Sequence, residues 1–395
     1  MEMEKHQAIA AAGEGPWRER PELPALKSEL LEINMGPQHP STHGVLRLLI
    51  HTDGELVHGV RPYIGYLHRC AEKIAEGCDY RQFVVYTDRL DYLAPMNCNF
   101  GYVVAVEKLL GVPVPDRAEH IRVICAELQR IASHLIAFGT FGLDMGAWTP
   151  LLYAFREREV ILNIFERLCG GRMLYNYYDI GGVRFDLPAG FAREVLDFCD
   201  LFEPKLDEYN TLLSYNKIFI ERTADVGIIT AADAHAYGCT GPVLRGSGVP
   251  WDCRKDDPYS IYDRFEFDVP FGTGEMGSVG DSWDRYMVRI REMQESVRIV
   301  RQAVAKLPDG PVKAPELKRT VKVPAGAAYT RTESSKGELG FYVVADGGAT
   351  PFRCKIRSPS YSNLHVVEKI GPGLMISDLV AAVGSLDLVL GEIDR

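Results

Sequence analysis

The stretch "GPQHPSTHG", residues 36–44, carries two imidazoles, His39 and His43, four positions apart between two apolar runs. On a helix, positions i and i+4 share a face, and histidines so placed bind zinc in the H-E-x-x-H pattern. Here no glutamate follows His39, and Pro40 disfavours helical backbone at the residue before it. Zinc hydrolysis is a poor fit, and the stretch reads as a loop whose Ser, Thr and His side chains satisfy nearby backbone groups. "YTDRLDYLAPMNCN" sets Arg89, Asp91 and Tyr92 close together, in isolation an exposed ion pair beside an aromatic that anchors the next helix. "LHRCAEK" offers Arg69 with Glu72 and Lys73; such helix-surface charges are solvated and contribute about 0.2–0.5 kcal/mol per pair. Asp144, in "GLDMGA", falls between two helical patterns, where a carboxylate caps an N-terminus.

Cofactor motifs are missing. The Gly-rich segments "LRGSGVP" and "GTGEMGSVGD" lack both the strand-then-helix setting of a dinucleotide fold and the Gly-Lys-Ser/Thr of a P-loop. None of the nine cysteines forms a CxxC pair, so neither a zinc ribbon nor a ferredoxin-type cluster is supported. They read as reduced, mostly buried thiols, and no metal site is expected.

The elements that must position these residues follow from periodicity. Residues 28–57 read as two strands around the histidine loop, with a further turn at Asp53-Gly54. Helical patterns occupy 62–110, with Gly111 as the stop. Asp116 and Glu119 after Pro115 have the form of a capping box. Ile121, Ile124, Leu128, Ile131, Leu135 and Phe138 then make one apolar stripe, predicting a long amphipathic helix. Thr149-Pro150 starts another helix, stopped by Gly170-Gly171. A third helical block spans 188–215 with a kink expected at Pro204, and a fourth begins at Ser282 and runs to Leu307. Matching stripes on several long helices imply a central antiparallel bundle. After Pro308, "LKRTVKV", "ELGFYVVAD" and "FRCKIRS" read as short strands, and "MISDLVAAVG" as a final short helix. The class is α+β: an N-terminal β-hairpin region and a C-terminal β-rich region flanking the bundle. The expected division is an arm at 1–27, an α/β region at 28–115, a bundle at 116–307 with an insertion at 221–282, and a C-terminal region at 308–395.

The chain has 395 residues, 46% apolar and 25% charged, enough for a large core. A net charge of −10 argues against nucleic acid as the main partner. No apolar run approaches the ~20 residues needed to cross a bilayer. The N-terminus is polar and acidic without a signal-peptide core, so it reads as a flexible arm and the location as cytosolic.

The set "NMGPQHPSTHGVLRL", "IGYLHRCAEK", "DRLDYL", "ASHLIAFGTFGLDMGAWTP", "IGGVRFDLP", "KGELGFYVV" and "GSLDLVLGEIDR" resembles the D-subunit family of proton-pumping NADH–quinone oxidoreductase, respiratory complex I, from about residue 28 to the C-terminus. That family is similar to the large subunits of nickel–iron hydrogenases, which hold their metal with two CxxC motifs. The corresponding places here, "RLDYLA" (89–94) and "DLVLGE" (387–392), contain no cysteine, which rules out hydrogenase activity. The resemblance implies that the emptied pocket receives a quinone headgroup, beside the terminal 4Fe–4S cluster of the B subunit. It assigns His43, Tyr92 and Asp144 to the reaction, the first two as headgroup-binding donors and Asp144 as the acidic partner of His43. Thr140, Asp387 and Val389 match positions lining the headgroup cavity, His39 has a supporting role in the same loop, and Arg69 and Arg89 match arginines beside the cluster.

Gly36 and Gly44 would then suit a loop that changes shape as substrate enters. The resemblance also implies no cofactor on this chain, FMN and NADH elsewhere in the complex, contacts with the C subunit and the membrane-embedded A and H subunits, and a peripheral place on the cytoplasmic face of a bacterial inner membrane. A relative fed by ferredoxin or another donor, and a silent scaffold descended from hydrogenases, are the competing readings. The segment "RMLYNYYDIGGV" departs from the family, with Leu174 and Tyr175 where a histidine is common and Asp179 where arginine is frequent.

Overall fold

The computed structural model describes residues 30–315, 317–318 and 320–395; the expected N-terminal arm, 1–27, lies outside the described residues. Strands Leu31–Met35, Arg47–Asp53 and Leu56–Tyr63 form an antiparallel sheet in chain order, with Met35 opposite Leu48 and Leu31 opposite Thr52. The histidine loop is the turn between the first two strands. Leu48 and Ile50 alternate inward, as a half-buried strand requires. They join Val57 and Val60 in an apolar cluster with Leu379, Val383 and Leu390 from near the C-terminus. The loop at residue 40 is therefore held by segments more than three hundred residues away.

A larger core surrounds the helix Asp116–Asp144, about 43 Å long at 1.5 Å per residue. Helices Trp148–Cys169 and Ser282–Ala305 pack along it, and Phe191–Tyr209 packs on both. Gly111 and Gly170 end their helices in the left-handed conformation, as the sequence predicts. At the C-terminal end, strands Gly326–Ser334, Gly337–Ala345 and Arg353–Arg357 form a second antiparallel sheet, which packs on the helix Pro95–Leu110. The expected α+β class, a helical bundle with flanking antiparallel sheets, matches this layout.

Three local expectations are corrected, and the end of the third helical block is located. Pro115 caps the Asp116–Asp144 helix without a side-chain bond; Asp116 is drawn to Arg264 and Glu119 accepts from Ser260, so no capping box forms. The helix Phe191–Tyr209 contains Pro204 and passes into a π-helical turn, Asn210–Ser214. The described residues of 317–323 form no strand, and the first strand of the second sheet is instead "GAAYTRTES". Glu72 is not a solvated helix charge; it faces Lys355, Arg353 and Arg395 and accepts from the Ile356 amide at 3.1 Å.

The long central helix is also more than amphipathic. Arg122, Glu127, Arg130 and His134, outside the expected stripe, are all buried. Each meets a partner from a distant segment, such as Arg254 on Glu127 at 3.0 Å and Glu292 on His134 at 2.9 Å.

Candidate functional site

His43 follows the short 3-10 turn Pro40–Thr42 with φ 49°, a left-handed backbone that is rare for a side chain other than glycine. The turn is capped by His39, whose Nδ1 accepts from the Ser41 amide at 3.2 Å. The glycines at either end serve contact. A Cβ at Gly36 (φ 88°) would fall 2.0 Å from the Leu46 carbonyl oxygen, and one at Gly44 (φ 131°) would fall 2.9 Å from Leu390. The loop is thus fastened onto the C-terminal segment with His43 aimed at the end of the central helix. There Nε2 of His43 lies 2.6 Å from Oδ2 of Asp144, the last residue of that helix. Asp144 in turn sits over Gly384, where a Cβ would stand 2.7 Å from the same oxygen.

A cavity of about 710 Å³ opens beside this pair. His43, Tyr92, Thr140, Asp144, Asp387 and Val389 all line it, with Leu93, Ile136, Leu143, Trp148 and Leu388 as apolar wall. Its size and its few convergent polar groups are those of a small-molecule site. The Tyr92 hydroxyl has no hydrogen-bond partner among the described residues, so it is available to a ligand. Thr140 has committed its hydroxyl to the Ile136 carbonyl at 2.8 Å and contributes wall rather than a donor. Asp387 holds a left-handed backbone (φ 56°) after the helix Ile376–Leu386 and pairs with buried Lys336, with Arg289 Nε at 3.6 Å.

These charges set the titration of the site. Burial opposes a charge on His43, but the hydrogen bond and charge of Asp144, with the charge of Asp387, outweigh it and Lys336, so the imidazole pKa is raised. The hydrogen bond to Asp144 thus favours retention of a proton on His43. Burial, and then the charge of Asp91, push the Tyr92 phenol up against the opposing pull of Arg69, which keeps it protonated and a donor. A phenol and an imidazolium in one apolar cavity can donate two hydrogen bonds, and then two protons, to acceptor oxygens of a single ligand.

Of the residues singled out in the sequence, three stand elsewhere. His39 is exposed and absent from the cavity wall, so its imidazole serves the turn. Arg69 and Arg89 line a second cavity of about 670 Å³ with Ile74, Val85, Tyr86 and Leu90. Arg69 Nη2 donates to the Arg89 carbonyl at 2.7 Å and the Gly391 carbonyl at 2.9 Å.

Asp91 forms no exposed ion pair; it is fully buried and turned onto the amides of Leu93 and Ala94. Sequence reasoning missed Lys336, Arg289 and Glu392, whose burial beside the cavity depends on long-range packing. The only local signal is the charge of Lys336 within an otherwise small-residue turn, "SSKG". The departures at Tyr175 and Asp179 are absorbed locally: Tyr175 packs edge-on to Phe165, and Asp179 pairs with Arg81 and Lys313. Among the described residues no three His, Cys, Asp or Glu side chains are grouped to hold a metal.

The fold is an α+β helical bundle flanked by small antiparallel sheets, with a cavity lined by a histidine, a tyrosine and two aspartates and by no cysteine. Residues 144–395 match the family model described as respiratory-chain NADH dehydrogenase, 49 kDa subunit. The chain is 51% identical to the D subunit of NADH-quinone oxidoreductase from Chlorobium luteolum, over 94% of each chain. It is 51% identical to the protein of that name from Chlorobaculum tepidum, over 94% of this chain and 93% of the relative. For that of Geotalea uraniireducens the identity is 50%, over 93% and 99%. The chain belongs to the family of the 49 kDa, or D, subunit of NADH–quinone oxidoreductase.

Proposed function

We propose that the cavity takes the headgroup of a quinone and that this chain is the quinone-site subunit of a proton-translocating NADH–quinone oxidoreductase. The observation that carries the reading is the placement of His43 and Tyr92 on one apolar cavity, with Asp144 bonded to His43. Reduction of a quinone to a quinol consumes two electrons and two protons. The electrons arrive from the 4Fe–4S cluster of a partner, the B subunit. Tyr92 gives a proton to one carbonyl oxygen once reduction makes that oxygen basic, and His43 gives one to the other.

Loss of the His43 proton removes the charge that ties it to Asp144, and this release is the first step of coupling to the membrane arm. Arg69 and Arg89 mark the side facing the B subunit, where their positive charge favours the reduced cluster. The C subunit, with the membrane-embedded A and H subunits, completes the surroundings. Among the described residues no helix is long and apolar enough to cross a membrane. The chain takes a peripheral place in the complex, on a cytoplasmic face that follows from the family resemblance alone.

The test is quinone reduction by the assembled complex carrying His43→Ala or Tyr92→Phe, with NADH oxidation by an artificial acceptor as the control for upstream electron entry. Quinone reduction falls at least about tenfold, a barrier increase of about 1.4 kcal/mol, while the control rate is kept. Wild-type quinone reduction in both variants would make the chain a scaffold. Copurification of an NADH- and flavin-binding subunit separates this reading from a relative fed by another donor.

A further inference from the structure

Behind the cavity wall lie two carboxyls that the proposed chemistry leaves idle. Arg69, by donating to the carbonyls of both Arg89 and Gly391, staples the segment leading to Asp91 against the segment leading to Glu392. The approach is so close that a Cβ at Gly391 would fall 2.6 Å from the Leu90 carbonyl oxygen. Asp91 and Glu392 are each fully buried in this seam. Asp91 uses one oxygen, Oδ1, on the amides of Leu93 (2.9 Å) and Ala94 (3.3 Å); its Oδ2 has no partner among the described residues. Glu392 uses one oxygen on the Ser360 amide (3.1 Å); its Oε2 likewise has none. Two half-satisfied acids facing a dry interior are costly if both are ionised.

We propose that Asp91 and Glu392 share one proton in the resting protein and that this buried acid resupplies Tyr92 after Tyr92 has protonated the quinone. The destination of the proton rests on the quinone reading above. The titratable groups facing the pair are Lys336, Asp387 and the buried Cys98 thiol. Lys336 is paired with Asp387, which Arg289 also approaches at 3.6 Å, so neither acid has a cation bonded to it directly and one retained proton lowers the buried negative charge.

Burial raises Asp91, with Lys336 opposing and Asp387 adding to the rise. Burial and then the Asp91 charge push Glu392 up to about 8, against Ser360 and Lys336. Tyr92 follows Asp91 directly in the chain and feels its charge. In the step itself, the Tyr92 O–H bond breaks as the quinone oxygen, carrying the electrons delivered by the partner, takes the proton. The tyrosinate then takes the shared proton, leaving two carboxylates, and solvent entering the cavity returns a proton to them through the Tyr92 hydroxyl, which lines the cavity.

Infrared difference spectra of the assembled complex, recorded on reduction with NADH and a short-chain quinone in H₂O and in D₂O, test this. The expected result is a deuterium-sensitive band of a protonated carboxyl that bleaches on turnover and is missing from Glu392→Gln. The same variant loses turnover several-fold more at alkaline than at acid pH, where reloading no longer limits. If Glu392→Gln does not assemble, Asp91→Asn serves for the assignment, because removing either acid alters the shared-proton band. A wild-type spectrum without such a band, or one unchanged in the variant, overturns the proposal while wild-type quinone reduction leaves the quinone reading intact. Unimpaired reduction in His43→Ala and Tyr92→Phe would overturn that reading instead.

Discussion

Two histidine–carboxylate pairs lie at different places along the same central helix, and they titrate in opposite directions. His134 meets Glu292 at 2.9 Å and His43 meets Asp144 at 2.6 Å. Burial drives His134 down to about 4; Glu292 opposes, and Arg130 and Arg289 add to the fall. His43 is raised because it keeps 21% of its side-chain surface and has a second carboxylate, Asp387, in reach. The carboxylate partner is common to both; complete burial decides first for His134, and the surrounding charges add to the difference. Glu292 is shared with Arg245, which also holds Glu333 at 2.8 Å, while Glu127 nearby takes Arg254, Arg130, Tyr262 and Ser296. Despite burial, these guanidiniums keep Glu127 and Glu292 below the usual carboxylate range. That region is an ionic brace. At the cavity end Asp91 and Glu392 have no guanidinium bonded to their carboxyls, and the proposed proton transfers are placed there.

The contrast is most severely tested by Arg245→Met in the assembled complex. Glu292 and Glu333 would stay buried without their counter-charge, at a cost of about 3–5 kcal/mol. The expected outcome is a large drop in the yield and melting temperature of the complex, and a wild-type melt would break the distinction between brace and site. Asp144→Asn, of the same shape, leaves assembly in place but slows quinone reduction about 10- to 100-fold. It also moves the alkaline limb of the pH profile to lower pH, since His43 loses the group that raises its pKa. An unmoved limb with unchanged turnover would show that Asp144 does not govern His43.

Smaller effects come from the pH dependence of stability. His134 has a folded pKa below its unfolded value of about 6.5, so its stabilising share is present above that pH and is lost as pH falls toward 4. His43, raised, contributes fully below about 6.5 and loses its share as pH rises through the raised value. Melting curves of His134→Gln should therefore fall less steeply on acidification than wild type; parallel curves would contradict the assignment. The smallest effect belongs to His39→Ala. An exposed imidazole that only caps a short turn should cost within about 0.5 kcal/mol, with turnover changed less than twofold. A tenfold loss would return His39 to the cavity.

Much of the scaffold was legible because it is local. The Asp116–Asp144 and Ser282–Ala305 helices, their glycine stops and the hairpin around the histidines follow from periodicity and turn residues. What failed was the meaning of polar residues inside those elements. Periodicity marks Ile121 or Leu128 as buried, yet it says nothing of Arg130 or Glu127. Their burial depends on Arg254 and Glu333, more than a hundred residues away. His43, Tyr92 and Asp144 were not distinguishable from solvated loop residues by type or spacing; the family resemblance picked them out. It could not supply Lys336 or Glu392, whose role appears only when the hairpin turn at Ser335 and the last helical turn close on the segment 89–94. Asp91 shows the limit best. Its neighbours suggest an exposed pair with Arg89, and packing against Gly391 buries it instead.

The central claim is that the cavity between the histidine hairpin and the end of the long helix is where a quinone is reduced. A density map of the assembled complex with a short-chain quinone bound tests it most directly. The account predicts the ring among Leu93, Ile136 and Val389, one carbonyl oxygen within hydrogen-bond reach of the Tyr92 hydroxyl and the other of the His43 imidazole. A ring seated instead in the second cavity beside Arg69 and Arg89, with Tyr92 and His43 untouched, would contradict it.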